Sequence, residues 1–101
     1  MNKKEFLEKI EQTYLQSLAI INNKNSDYAT DEDPFKNFRS ALIVGVNPKR
    51  AILVRSADKL SRISNLLDKE NIVKDETILD SILDLIGYLC ILKVWIETKH
   101  E

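Results

Sequence analysis

The chain has 101 residues, a length that fits one domain over residues 1–101 and leaves no room for two. Hydrophobic residues make up 44% and charged residues 31%, a balance typical of a folded protein and not of a disordered one. The formal net charge is −1, so bulk charge favours neither long nucleic acid nor an acidic membrane as a partner. Because a domain this small has a thin core, we expect a homo-oligomer.

Cysteine usage and hydropathy indicate where the protein works. Cys90 is the single cysteine, which excludes an internal disulfide, and its apolar surroundings predict a buried, reduced thiol. The N-terminus leads into an amphipathic pattern and not into the apolar run of a signal peptide. The most hydrophobic stretch, Leu85 to Leu92, is far shorter than the roughly 20 residues of a membrane span. We therefore expect a soluble, cytoplasmic protein.

Helical periodicity starts close to the N-terminus and extends over about Asn2 to Asn22. Its apolar positions recur at helical spacing: Phe6, Leu7, Ile10, Tyr14, Leu18 and Ile21. The turn-favouring residues 22–26 are expected to end this helix. A polar loop, Asp27 to Pro34, follows, and loops of this length in small domains are often functional.

A short second helix is predicted from Phe35 to Val44. Asp33 is its expected N-cap, and Pro34 suits the start of the helix because its ring already has a helical φ angle. Gly45 can end the helix in the left-handed conformation that glycine adopts without strain.

Two long helices complete the predicted fold. Asn47 and Pro48 give a second start signal, and the third helix runs from there to about Leu67. Asp75 is the expected N-cap of the last helix, which runs from Glu76 to about Thr98. The sequence thus predicts an all-α bundle with three long helices and one short helix. The apolar face of the third helix comprises Ile52, Leu53, Leu60, Ile63 and Leu67.

Two acidic residues interrupt the last helix, which is otherwise apolar nearly all round. Asp80 and Asp84 are four residues apart and share one face, where their charges repel each other. We expect the pair to be at least partly buried and neutralised by a partner. That partner is either Mg²⁺, which prefers carboxylates and bridges to phosphate, or a structural network with basic residues of the third helix. Gly87 marks close approach of another helix or of a ligand, and helix packing is the commoner cause.

Basic residues form a stripe on the third helix, where Arg55, Lys59 and Arg62 share one face. A solvated face is the usual role of such residues, and a phosphate clamp is the functional alternative. The long loop and its flanks add an aromatic beside polar donors, which could hold a base. Equally, Phe35 and Phe38 could simply anchor the loop to the core.

Four segments carry a family resemblance through their order and spacing. They are residues 24–28 (KNSDY), 33–38 (DPFKNF), 55–63 (RSADKLSRI) and 80–85 (DSILDL). Together they resemble the nucleotide modification associated domain family, which is found largely in bacteriophages and is similar to the MazG-like nucleotide pyrophosphatases. The likeness covers about Lys24 to Ile96. It implies a MazG-like helical bundle that forms dimers or tetramers, with nucleotide sites lined by helices.

The resemblance also bears on hydrolysis. MazG-like enzymes hold Mg²⁺ through an acidic motif on an early helix and another on a later helix. Asp80 and Asp84 resemble the later motif, at a spacing of four instead of three, whereas the earlier motif has no clear match here. Hydrolysis of a phosphoanhydride needs metal to activate water, and a site short of carboxylates holds metal poorly.

We therefore expect a phage-type accessory protein that binds a nucleotide in the host cytoplasm without hydrolysing it. Sequestration of a host signal nucleotide, as a counter-defence, is one such role. A Mg²⁺-dependent nucleoside triphosphate pyrophosphatase is the alternative, and a scaffold without a small ligand is the third hypothesis. The expected nucleotide-binding residues are Lys24, Asp27, Tyr28, Phe38, Arg39, Arg55, Lys59, Arg62, Asp80 and Asp84. The last two would also hold Mg²⁺ if it is bound.

Overall fold

The protein is built from helices, as the sequence predicts. A computed structural model describes residues 1–28, 33–69 and 75–98, with side chains described for residues 1–24, 33–69 and 78–98. Its elements are α1 (Lys3–Tyr28), α2 (Lys36–Arg39), a 3₁₀ helix (Ser40–Val44), α3 (Pro48–Leu67) and α4 (Asp75–Glu97). The described ranges contain no β-strand. Among the described helices, none combines the length and the apolar character that crossing a lipid bilayer would require.

Helix α1 continues beyond its predicted end. Residues 22–26 were expected to break it, but the backbone stays helical through residue 28. Ser17, inside the predicted helix, holds α1 against α4, because its Oγ donates a hydrogen bond to the Leu83 carbonyl at 3.0 Å. Within the extension, Lys24 Nζ lies 3.4 Å from Asp84 Oδ1, and this contact opposes the low helix propensity of these residues. The predicted loop therefore begins later than the sequence indicates.

The short helical segment after the loop ends at its predicted cap, but the predicted N-cap is wrong. Asp33 Oδ1 accepts the backbone N–H of Phe35 at 3.1 Å, yet the helix begins at Lys36, so Phe35 is its N-cap and forms no side-chain cap hydrogen bond. The segment is α-helical only over Lys36–Arg39 and then tightens into the 3₁₀ helix, whereas one uninterrupted helix was expected. Gly45 ends it with a φ of 75°, and two N–H groups bond back to the last turn at 3.0 Å in a Schellman motif.

Helix α3 has the predicted bounds. Asn47 Oδ1 accepts the backbone N–H of Lys49 at 3.0 Å, and Pro48 occupies the first helical position. Ile52 and Ile63 of its predicted apolar face are buried. The other three members of that face are exposed in the single chain: Leu53, Leu60 and Leu67.

The core lies where the segment around α2 meets α3 and α4. Ile52 is fully buried and packs with Phe35, Phe38 and Trp95. The rings of Phe35 and Trp95 meet edge to face, with their centroids 5.1 Å apart. The anchoring role considered for Phe35 and Phe38 is therefore confirmed.

Helix α4 spans Asp75–Glu97, within one residue of its predicted bounds at each end. The N-cap expected at Asp75 lies outside the described side chains. The prediction that Cys90 is buried is wrong, because its side chain is exposed. Helices α1 and α3 leave part of α4 uncovered, so several of its apolar residues face outward: Leu79, Leu89, Val94 and Ile96.

Gly87 allows α1 and α4 to approach each other closely. A Cβ atom at Gly87 would lie 3.2 Å from Ile21 Cγ1 and 3.4 Å from Ser17 Oγ. Ser17 itself is buried in this contact. Helix packing, the commoner of the two explanations for this glycine, is therefore present.

Replacing Gly87 tests how close this contact is. Gly87→Leu is expected to push α1 away and to lower the free energy of unfolding by about 1–3 kcal/mol, as overpacked sites usually do. Gly87→Ala is the matched control, because the gain of about 1 kcal/mol in helix propensity offsets a mild displacement of Ile21. Thermal unfolding followed by circular dichroism measures both variants. If Gly87→Leu and the wild type have the same melting temperature, α1 and α4 are not in close contact at this point.

Candidate functional site

A cavity of about 340 Å³ opens between the long helices and α2, within the size range of small-molecule sites. Apolar residues of α1 and α4 form much of its wall. Its polar and aromatic lining comprises Lys24, Asn37, Phe38, Arg55, Asp84 and Tyr88. Four of the predicted nucleotide-binding residues therefore meet in one place, namely Lys24, Phe38, Arg55 and Asp84.

Asp84 is the electrostatic centre of this cavity. Only 16% of its side chain is exposed. Lys59 Nζ of α3 lies 2.9 Å from Asp84 Oδ2, and Lys24 Nζ of α1 lies 3.4 Å from Oδ1. The expectation that this carboxylate is partly buried and neutralised is confirmed, and the neutralising groups in the structure are lysines.

Asp80 has a different environment from Asp84. Its side chain is exposed, and it forms no hydrogen bond or ion pair with the described residues. A step of four residues overshoots a full helical turn by about 40° and advances about 6 Å, which moves Asp80 out of the seam that contains Asp84. The expected burial of the acidic pair is therefore wrong for Asp80.

The donor groups around the cavity suit an anion better than a divalent metal. Within the side chains that the structure describes, no three His, Cys, Asp or Glu residues come together. Asp84 is the one carboxylate among the described lining residues, and each of its oxygens already contacts an ammonium group. Three cations, Lys24, Arg55 and Lys59, surround this single carboxylate, which leaves a net charge of +2.

Arg55 differs from the two lysines. It lines the cavity from α3, and its guanidinium forms no ion pair with a described carboxylate. A planar guanidinium can donate paired hydrogen bonds to phosphate oxygens. Arg62, two turns further along the same helix, is exposed and does not line the cavity. The predicted basic stripe is thus divided between a cavity residue, an ion-pair partner of Asp84 and a surface residue.

Among the polar and aromatic lining residues, two were not predicted as site residues: Asn37 and Tyr88. The rings of Phe38 and Tyr88 meet edge to face, with their centroids 6.4 Å apart. Tyr88 follows Asp84 by four residues, so helical spacing could have placed it on the same face. Asn37 precedes Phe38, and no spacing signal distinguishes it. The side chains of Asp27 and Tyr28 lie outside the described residues.

Arg39 contacts other protein residues and does not line the cavity. Its Nε lies 3.1 Å from Asp33 Oδ1 and 3.0 Å from Oδ2, and its guanidinium carbon lies 5.0 Å from the centre of the Trp95 ring. These contacts hold the start of the short helical segment against α4. Arg39 therefore fixes the backbone that carries Asn37 and Phe38 into the cavity.

Comparisons with known proteins identify no relative. No family model, no curated protein and no solved structure matches the chain. The function must therefore be inferred from the chemistry of the cavity itself.

Loss of the Arg39 contacts should destabilise the fold. Arg39→Ala removes a charge-assisted hydrogen bond and a cation–π contact, so we expect the free energy of unfolding to fall by about 1–2 kcal/mol. Lys36→Ala is the matched control, because Lys36 is an exposed cation of the same short helix. Urea unfolding followed by the fluorescence of Trp95 measures the effect. Equal losses in both variants would show that Arg39 has no special structural role.

Proposed function

We propose that the protein binds a nucleotide in the cavity between α1, α2, α3 and α4. The observation that carries this proposal is the meeting of cations and aromatic rings in one space of about 340 Å³. Lys24 and Arg55 offer charge to phosphate groups, while Phe38 and Tyr88 offer ring surfaces to a base. A site that combines an apolar wall with a few convergent polar groups is typical of small-ligand binding.

Three polar residues that line the cavity have separate roles in this proposal. Arg55 donates to phosphate oxygens, because its guanidinium is not engaged by a described carboxylate. Lys24 is half exposed and only loosely paired with Asp84, so it can turn towards a phosphate. Asn37 carries both an amide donor and a carbonyl acceptor, which lets it read the edge of a base.

Capture without hydrolysis is the form of the proposal that the cavity supports. Lys59 lies close to Asp84, and this carboxylate orients cations instead of offering free oxygens to Mg²⁺. A net positive cavity attracts phosphates without a metal. We further propose that the protein belongs to the phage-type nucleotide modification associated family with its MazG-like bundle. It would work as a homo-oligomer in the host cytoplasm and sequester a signal nucleotide there.

A nucleotide panel tests the proposal directly. Calorimetry with nucleoside mono-, di- and triphosphates and with cyclic dinucleotides should show heat and a thermal shift for at least one of them. Ligand recovered by chromatography after incubation with Mg²⁺ and denaturation should be chemically unchanged. If no nucleotide of the panel binds, the proposal is wrong. If a nucleotide is hydrolysed, the alternative function, a Mg²⁺-dependent pyrophosphatase, is correct instead.

Two arginines of α3 provide a matched pair of variants. Arg55→Ala should weaken nucleotide binding at least tenfold, since the cavity loses a guanidinium that no described carboxylate engages. Arg62→Ala should leave binding unchanged, because Arg62 lies outside the cavity on the same helix. Calorimetry with the strongest ligand of the panel measures both. Equal weakening in the two variants would move the binding site from the cavity to the exposed face of α3.

Asp84 separates capture from metal-dependent hydrolysis. A carboxylate there competes with phosphate for Lys24, so Asp84→Asn is expected to keep nucleotide affinity or raise it by up to about tenfold, which corresponds to about 1.4 kcal/mol. Asp80→Asn is the exposed control on the same helix and should change nothing. A metal-dependent enzyme would instead lose turnover in the Asp84 variant. Binding lost in a folded Asp84→Asn protein would contradict the competing role of this carboxylate.

A further inference from the structure

The first half of α1 is uncovered in the single chain. Every residue from 1 to 12 is exposed, although the backbone is helical from Lys3 onward. The apolar side chains of this half are therefore open to water in the single chain.

This half of α1 is amphipathic, and two residues of its apolar stripe face a gap. Leu7, Ile10 and Tyr14 follow one another at spacings of three and four, and their exposed fractions are 52%, 39% and 59%. A wedge-shaped space of about 400 Å³ separates α1 from α4 here, with Ile10 and Tyr14 on one side and Leu89 and Cys90 on the other. We call this space the α1–α4 wedge.

Beside the wedge lies a second apolar hollow of about 570 Å³. Cys90 lines both spaces, and Leu18 and Val94 line the hollow only. The apolar linings of the two spaces are therefore continuous at Cys90. A partner that fills the wedge must present apolar side chains to it. The first half of α1 in another copy presents such side chains along one stripe.

The charges beside the apolar stripe favour a second copy as this partner. Residues 3–11 contain three lysines and three glutamates, so two copies bring no net charge together. If two α1 helices pair in antiparallel orientation with Leu7 opposite the partner's Ile10, heptad geometry places Lys4 opposite the partner's Glu11. The twofold axis repeats this pair, giving two complementary contacts from one sequence.

We propose that two copies of this chain associate through the first half of α1, paired in antiparallel orientation and seated in each other's α1–α4 wedge. The inference specifies the surface for the homo-oligomer named under the proposed function, and it is independent of nucleotide binding. The wedge and the nucleotide cavity share no lining residue. Interface variants should therefore keep the affinity for nucleotide.

Mass measurement on the full chain tests the interface. Light scattering after gel filtration should give at least a dimer for the wild type. Ile10→Glu should weaken association at least tenfold, because it places a charge in the apolar wedge. Ile43→Glu is the matched control, since Ile43 is 87% exposed and lies in the 3₁₀ helix away from the wedge. Circular dichroism checks that both variants remain helical.

Charge reversal tests the antiparallel register and does not disturb the apolar contacts. Lys4→Glu should weaken association, since glutamates then face each other across both symmetry-related pairs. Adding Glu11→Lys to the same chain should restore it. The exposed Cys90 gives an independent readout, because alkylation should be slower in the wild type than in Ile10→Glu.

The outcomes separate this inference from the functional one. A wild type that stays monomeric at high micromolar concentration overturns both the interface and the homo-oligomer. An oligomer that Ile10→Glu leaves intact overturns the interface alone. Association that the double variant fails to restore overturns the antiparallel register. Nucleotide binding, measured in parallel, fails or succeeds independently of all three results.

Discussion

The ion pairs made by the carboxylate of Asp84 are the interactions that connect the three long helices. This carboxylate belongs to α4, and it is neutralised by Lys59 of α3 and Lys24 of α1. Removing a charge from water is costly, and paired cations offset much of that cost. These two ion pairs join α4 to α3 and to the second half of α1 beside the cavity. Asp84 therefore belongs both to the helix packing and to the candidate site.

Several features that depend on neighbouring residues were predicted from the sequence, and several that depend on distant residues were not. The caps at Asn47 and Gly45 are local hydrogen-bonding devices, so residue type and order suffice to place them. The extended end of α1 contains the contact of Lys24 with Asp84 of α4, which no local pattern reveals. The prediction that Cys90 is buried was wrong for a similar reason. An apolar sequence around a residue does not show which faces of its helix are covered by other helices.

Some residues of the candidate site were predicted correctly from the sequence, and others were not. Lys24, Arg55 and Asp84 belong to three different helices and meet because those helices pack around the cavity. Arg39 carries the same kind of charge but is held by Asp33 and Trp95, since those partners lie closer to it than the cavity does. Sequence reasoning identifies which residues can bind phosphate, whereas packing decides which of them face the same space.

The two halves of α1 have separate surroundings, and this division explains why so small a core can suffice. Among the described residues, the fully or nearly buried apolar side chains number only five: Phe35, Phe38, Ile52, Ile63 and Trp95. Much apolar surface on α1 and α4 lies outside that core. If a second copy covers it, association contributes to folding by mass action, and stability rises with protein concentration. The second half of α1 stays committed to Asp84 and the cavity, so assembly and ligand capture need not compete for one surface.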